Sequence, residues 1–251
     1  DARPVDGVGN GFVSGYRVRF DEAGPDGTLR TAGLLRFAQD IAWRHAEARG
    51  FSREWYDERE LAWVVRALDL RIERPIEMGG LVRLDTAVVG HRRAWARRRG
   101  IFLRPGGDGP VATVETDWLI LDSRGRPVRI PPEFDVAFPN PVVEMDLARV
   151  EPPTTPPTAV RHPVTVRPSD LDPMGHANNA VYLDWLEEAV AGAGDPDLAT
   201  RTPRRCRLEY AASAQEGDRL EAIVWPDDGG WWHRLVRPAD GAELLRARID
   251  G

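Results

Sequence analysis

The strongest constraint on what this chain folds into is that part of it occurs twice. Arg19 to Leu35 lies over Arg167 to Leu183 at a constant offset of 148 with no gap: Arg19 falls on Arg167, Pro25 on Pro173, Gly27 on Gly175 and Leu35 on Leu183. The residues that follow agree in period as well as in kind. Leu34, Phe37, Ala38, Ile41 and Ala42 fall on Tyr182, Trp185, Leu186, Ala189 and Val190, one apolar stripe at helical spacing in each copy. A turn feeding an amphipathic helix, used twice, predicts two units of one kind. A length of 251 residues is near the point where one core gives way to two, and 42% hydrophobic content is ample for both.

Period-two patterns supply the other element type. Leu68, Leu70 and Ile72 alternate with Asp69, Arg71 and Glu73; Val82, Leu84, Thr86 and Val88 form a second set, and Ala112, Val114, Thr116, Trp118 and Ile120 a third. Each predicts a strand packed on one face and wet on the other, and turns such as Asp122 to Pro127 predict antiparallel hairpins. The second half repeats the order, with strands expected at 205–211, 219–225, 231–236 and 243–249. The fold class expected is therefore α+β, twice a long helix against an antiparallel sheet. The units are placed at 1–135 and 161–251, with a proline-dense, semi-extended crossing segment at 136–160, part of the stretch that runs from Pro131 to Pro157.

The backbone pattern repeats, but the chemistry does not. Asp172 is matched by Gly24, His176 by Thr28, and Asn178 and Asn179 by Arg30 and Thr31. The second copy alone places an acid, a glycine, an imidazole and two amides between a strand and a helix. N–H groups at a helix start are unpaired and partly positive, so a thioester carbonyl held there finds donors for the oxyanion it becomes under attack. An acid and a histidine nearby orient or deprotonate water. The same residue types also build ordinary turns, and Asn178 and Asn179 read equally well as helix caps.

The string Asp170-Leu171-Asp172-Pro173-Met174-Gly175-His176-Ala177-Asn178-Asn179-Ala180-Val181-Tyr182 resembles the active-site signature of hotdog-fold thioesterases. Over nearly its whole length the chain resembles the acyl-acyl carrier protein (acyl-ACP) thioesterases of plants and bacteria. Leu61 to Arg66 leading to Arg71-Ile72-Glu73-Arg74-Pro75, then Gly79-Gly80-Leu81-Val82, an Arg-rich strand, Thr116 to Asp122, and Arg126 to Pro131 follow that family's order. The resemblance implies a tandem hotdog, each helix wrapped by its sheet, with the degenerate first unit supplying much of an acyl slot. Trp43, Trp63 and Trp118 are aromatic candidates for its wall, or for ordinary core.

It further implies cofactor-independent hydrolysis of a fatty acyl thioester, acyl-ACP foremost, in fatty acid biosynthesis. Asp172 would be the base or water-orienting acid, with direct carboxylate attack as the alternative; His176 would hold the carbonyl or polarise water, and N–H groups around Asn178 and Asn179 would take the oxyanion. Met174 and Gly175 would line the substrate. Two departures bear on this. Plant members carry asparagine at the position of Met174, and an acid and a cysteine shortly after the Leu-Glu-Tyr strand, where this chain has Ser213 and Ala214. The Asp-Pro-Met-Gly-His-Ala-Asn-Asn form is closer to single-hotdog acyl-CoA thioesterases of the 4-hydroxybenzoyl-CoA type. A hydratase on the same fold and a non-catalytic acyl-binding module are the competing readings.

Charge adds a partner expectation. The net charge of −6 argues against nucleic acid, and no apolar run or leader suggests a membrane span or export. The run His91 to Arg99 reads as one basic strand; Arg97 and Arg98 on it would meet an acidic carrier protein or a pantetheine phosphate, unless they are simply solvated. Every basic residue is arginine, which removes Schiff-base lysine chemistry. No G-x-S-x-G, H-E-x-x-H or paired C-x-x-C pattern is present, so neither a serine nucleophile nor a metal is expected. The single cysteine, Cys206, alternates with Leu208 and Tyr210, reads as buried packing, and fits a reducing compartment such as the cytoplasm. Monomer and homodimer are both compatible with a tandem chain.

Overall fold

The computed structural model describes residues 10–139 and 149–251. Its strands are β1 (Gly11–Arg17), β2 (Leu61–Ile72), β3 (Leu81–Arg92), β4 (Trp95–Leu103), β5 (Pro110–Asp122), β6 (Val160–Thr165), β7 (Arg204–Tyr210), β8 (Arg219–Asp227), β9 (Gly230–Arg237) and β10 (Ala242–Asp250). The helices are α1 (Thr31–Ala48), α2 (Arg53–Asp57), α3 (Pro132–Ala137) and α4 (Val181–Gly192). All ten strands form one sheet in the order β1-β3-β4-β5-β2-β7-β10-β9-β8-β6, antiparallel throughout. Read outward from the centre, each half has the same sequence of strands, so the molecule is a two-fold repeat joined at β2 and β7.

The join is symmetric in register. Asp69 lies opposite Arg207, and the flanking pairs Leu68 with Leu208 and Leu70 with Cys206 run out evenly from it. The halves differ here in charge: the Arg205 guanidinium holds both carboxylate oxygens of Asp69 across the seam. The helices meet the same way. Arg36 donates to Asp184 at 2.9 Å, and these two residues occupy one position of the repeat. Identical copies would set like charges together at both places; unlike copies turn them into attraction.

The apolar stripes do what their spacing predicts. Leu34, Leu35, Phe37 and Ile41 of α1, and Tyr182, Leu183, Trp185, Leu186, Ala189 and Val190 of α4, are buried in one core with Leu70, Leu84, Phe102, Leu208 and Ala247 from the sheet. Fully burying each such leucine or phenylalanine contributes about 1.5–3 kcal/mol. Cys206 is fully buried beside Leu208, and burial pushes its thiol up to about 12, which leaves it inert.

Two expectations need correction. The basic run His91 to Arg99 is not one strand but a hairpin: Arg92 pairs with Trp95, and Arg93 turns the chain in the left-handed region at φ 56°. A non-glycine residue there gives no turn signal in the sequence. The proline-dense stretch also begins with a helix. Pro131 and Pro132 start α3 where their missing N–H groups cost nothing, and Phe134 and Phe138 bury against Phe51 and Trp63 in a second, aromatic cluster. Of the rest of the expected crossing segment, 140–148 lies outside the described residues and 149–159 carries no helix or strand.

Candidate active site

The turn before α4 is built by short backbone bonds. Asp170 is buried and accepts from the Arg167 N–H at 2.8 Å and from its guanidinium at 3.0 and 3.2 Å. Asp172 N–H donates to the His176 carbonyl at 2.8 Å, and Gly175 N–H to the Asp172 carbonyl at 2.9 Å. Gly175 closes the loop at φ +77°, where a side chain would be strained. Asn178 N–H then returns to the Asp170 carbonyl at 2.8 Å.

The turn before α1 repeats this bond for bond. Gly24 N–H donates to the Thr28 carbonyl at 2.8 Å, Gly27 N–H to the Gly24 carbonyl at 2.9 Å with φ +76°, and Arg30 N–H to the Glu22 carbonyl at 3.1 Å. Glu22 accepts from Arg19 as Asp170 does from Arg167. The offset of 148 therefore reflects a shared structure, and only the side chains decide which copy can do chemistry.

In the second copy the Asp172 carboxylate is turned back onto its own loop, accepting the Met174 N–H at 2.8 Å. Among the described residues it makes no hydrogen bond to His176, which is half-buried; the turn brings their backbones together but leaves the acid and imidazole uncoupled. The Asn178 amide oxygen accepts the Ala180 N–H at 2.9 Å, so this side chain shapes the helix entry. Asn179 has the other orientation: it lines a cleft, and its own N–H bonds to no protein group among the described residues. Met174 is 58% exposed at the tip of the turn.

Two tyrosines from the core hold this loop. Tyr210 at the end of β7 donates to the Asn179 carbonyl at 2.9 Å, and the Tyr182 hydroxyl accepts the Ala214 N–H at 2.9 Å, their rings meeting edge to face at 5.3 Å. Burial pushes Tyr182 up to about 12 and Tyr210 well above the ordinary tyrosine value, so both stay neutral. Ala214 is fully buried and its carbonyl accepts the Ala177 N–H, placing the cysteine position of the plant pattern directly behind the signature.

The cleft that Asn179 faces belongs to the other half. It is a narrow cleft with a cavity volume of about 20 Å³, lined by Leu35, Gln39 and Ile41 of α1 and by Arg98, Val114, Thr116 and Trp118 of the first sheet half. Of the three tryptophans considered for a slot, Trp118 lines it; Trp63 sits in the aromatic cluster, and Trp43 is 42% exposed. Gln39, Thr116 and the two tyrosines were not singled out from the sequence as site residues. The offset carries a signal for the first, because it lays Gln39 on Glu187.

Arg97 and Arg98 do not form an exposed basic patch. Arg97 is largely buried and holds both oxygens of Asp117 at 2.7 and 2.8 Å. Arg98 turns inward, its Nη1 donating to His45 Nδ1 at 2.9 Å and to Thr86 Oγ1 at 3.4 Å. Burial, with Arg98 beside it, pushes His45 down to about 3, so the ring is neutral. Since a guanidinium only donates, Nδ1 is the acceptor and the proton sits on Nε2.

The mirror-image position is filled differently. Glu187, at the repeat position of Gln39, is nearly buried on α4, where it accepts from Thr31 and lies 3.8 Å from Arg204. Burial pushes it up to about 7 despite Arg204. Glu188 is exposed. A second narrow cleft, of about 20 Å³ and lined by Thr28, Arg74 and Arg204, adjoins this cluster. No group of residues among those described could hold a metal ion, and no described helix is long and apolar enough to cross a membrane.

Comparison with known proteins decides the family. The model of the acyl-ACP thioesterase N-terminal domain matches residues 9–138, and that of the C-terminal domain matches residues 155–249. The chain belongs to the acyl-ACP thioesterase family. Among its relatives, the chloroplastic palmitoyl-acyl carrier protein thioesterase of Cuphea hookeriana is 26% identical over 95% of this chain and 61% of its own length. The chloroplastic dodecanoyl-[acyl-carrier-protein] hydrolase of Cinnamomum camphora is 24% identical over 95% of this chain and 67% of its own. The chain thus spans about three fifths of the Cuphea relative. In fold it matches the 12:0-ACP thioesterase of Umbellularia californica with a TM-score of 0.82 at 22% identity, covering 96% and 97% of the two chains. An acyl-ACP thioesterase from Bacteroides thetaiotaomicron gives 0.79 at 16% identity over the same shares. These likenesses establish the tandem hotdog.

Proposed function

We propose that this acyl-ACP thioesterase family member hydrolyses fatty acyl thioesters, releasing the free acid and a thiol. One observation carries the reading: the only complete copy of the signature sits on a turn whose Asn179 opens onto an apolar slot built by the other half. An acyl chain in that slot brings its thioester carbonyl to the start of α4, where we assign the Asn179 N–H, unpaired among the described residues, to receive the developing oxyanion. Asp172 then serves as base or water-orienting acid, and His176 holds the carbonyl or polarises the water. Asn178 supports the loop. No cofactor enters these steps.

Acyl-ACP is the substrate carrier named for the relatives, and we extend it to this chain on family grounds. Acyl-CoA is the second reading. It is supported by Met174, whose exposed side chain leaves the site without the amide of the plant pattern, and by Ala214 in place of the cysteine. The reduced, buried Cys206 fits a cytoplasmic enzyme. We retain the two-unit division with a crossing segment near 136–160, and a monomer or homodimer.

The test is free-thiol release from acyl-ACP and acyl-CoA thioesters of varied length, wild type beside Asp172→Ala. Release that depends on Asp172 supports hydrolysis and ranks the carriers. Saturable acyl binding with no release from either protein would replace the enzyme with an acyl-binding module.

A further inference from the structure

The slot that the proposed hydrolysis uses is lined by one charged side chain among the described residues, and that side chain is a cation. On β4 the side chains alternate, so Ala96, Arg98, Gly100 and Phe102 share the inward face, while Arg97 and Arg99 stand on the other. The two outer arginines are neutralised from β5, Arg97 by Asp117 and Arg99 by Glu115. Arg98 has no carboxylate within ion-pair distance among the described residues. Its hydrogen bonds run through Nη1 alone, to neutral His45 and to Thr86, which leaves the Nε and Nη2 donors for whatever enters the cleft it lines.

Such a charge is costly without an anion or strong acceptor. The fold does not require it. Thr116 faces Leu68 and Arg98, and in the second half Ile249 faces Cys206 and Trp231 in the same way, so the repeat carries an indole where the first half carries the guanidinium. His45, clamped between Phe12 and Phe138 at ring distances of 5.2 and 5.1 Å, fixes the direction in which Arg98 points. Gln39 and Thr116 line the same cleft and add polar groups along its wall.

We propose that the slot selects acyl chains bearing an oxygen function, a carboxylate foremost and a hydroxyl more weakly, which Arg98 recognises through Nε and Nη2. Arg98 is thus a specificity residue for the acyl chain. The proposal rests on the thioester reading of the site and narrows its substrate class.

The experiment titrates S-alkyl thioethers of N-acetylcysteamine, which cannot be hydrolysed, into wild type, Arg98→Met and Arg98→Lys. The thioethers form a series of chain lengths ending in methyl, hydroxymethyl or carboxylate. Thiol release from the matching thioesters is measured alongside. The expected result is carboxylate-ended binding tighter than methyl-ended binding by about tenfold or more at the best length in wild type, with the order kept in Arg98→Lys and reversed in Arg98→Met. Turnover should follow the same order. Equal or tighter binding of the methyl-ended series by wild type, or an equal loss for all three series in Arg98→Met, would overturn the proposal. Wild type and Arg98→Lys decide it even if Arg98→Met fails to fold. Carboxylate preference with no thiol release would sink the hydrolase reading alone; release without preference would sink this one alone.

Discussion

The turns before α1 and α4 share a hydrogen-bond pattern, a glycine in the left-handed region and an arginine–carboxylate brace, yet only the second presents an acid, an imidazole and two amides. The slots diverged in the opposite sense. Gln39, Arg98 and Thr116 leave the first half's slot open, whereas their counterparts Glu187, Trp231 and Ile249 close the second with a buried carboxylate and two apolar side chains. Each half therefore keeps one part of the proposed site, the second half its chemical turn and the first its slot. Two copies of one turn can differ in chemistry without differing in shape, because the backbone constraint on the turn is independent of the side chains it carries.

The largest effect that would test this division is on turnover. Asp172→Ala should lower kcat/KM by about 10²–10⁴, the range for a lost acid–base group. Thr28→Ala, at the mirror position of His176, should leave it within about twofold by the same comparison. A loss of similar size from Thr28→Ala, read by thiol release, would erase the distinction between the turns.

The closed slot makes a prediction in pH. Glu187 is pushed up to about 7 from 4.5, so between those values the native state binds more protons than the unfolded one. Its contribution to stability is greatest below pH 4.5, is lost as pH rises toward about 7, and is flat above. Denaturant unfolding of Glu187→Gln and wild type should give a difference curve falling by up to about 1.4 kcal/mol per pH unit in that window. His45 and His233, both pushed down to about 3 by burial, act in the opposite direction but cancel in the difference. A flat difference curve would mean that Glu187 is ionised and well paired, and the second slot less closed than described.

Smaller effects sharpen the contrast. Tyr210→Phe removes the donor to the Asn179 carbonyl and should cost about 1–3 kcal/mol in stability, together with a several-fold fall in turnover, because the loop it holds is the chemical one. Unchanged turnover at reduced stability would detach Tyr210 from the site. Arg36→Ala breaks the helix–helix pair with Asp184, but Arg36 is well exposed and Asp184 only half-buried, so thermal unfolding should report a loss of about 1 kcal/mol or less.

Much of this was legible in the sequence because it rests on period and turn chemistry. Helical stripes, alternating strands and the left-handed glycine positions follow local rules, and the offset of 148 carried the two-fold repeat. The position of Asn179 at the head of α4 was equally readable. What escaped was direction. Within a basic run Arg98 looks like surface charge, although its alternation with Ala96, Gly100 and Phe102 places it on the inward face. A helix carboxylate is usually exposed, and only the contacts of Glu187 with Thr31 across the repeat interface and with Arg204 of its own half explain its burial. The hairpin at Arg93 lacked a glycine, and α3 hid behind prolines that also suit an extended segment. That the slot and the chemical turn come from different halves is a property of the β2–β7 seam, which no local pattern encodes.

The central claim, one composite site with its slot in the first half and its chemistry in the second, is tested most directly by a crystal structure with a non-hydrolysable S-alkyl thioether bound. The account predicts the alkyl chain between α1 and Trp118 with the sulfur at the turn of Asp172 and Asn179. A chain lodged instead beside Thr28 and Arg204, with its sulfur at the turn before α1, would contradict it.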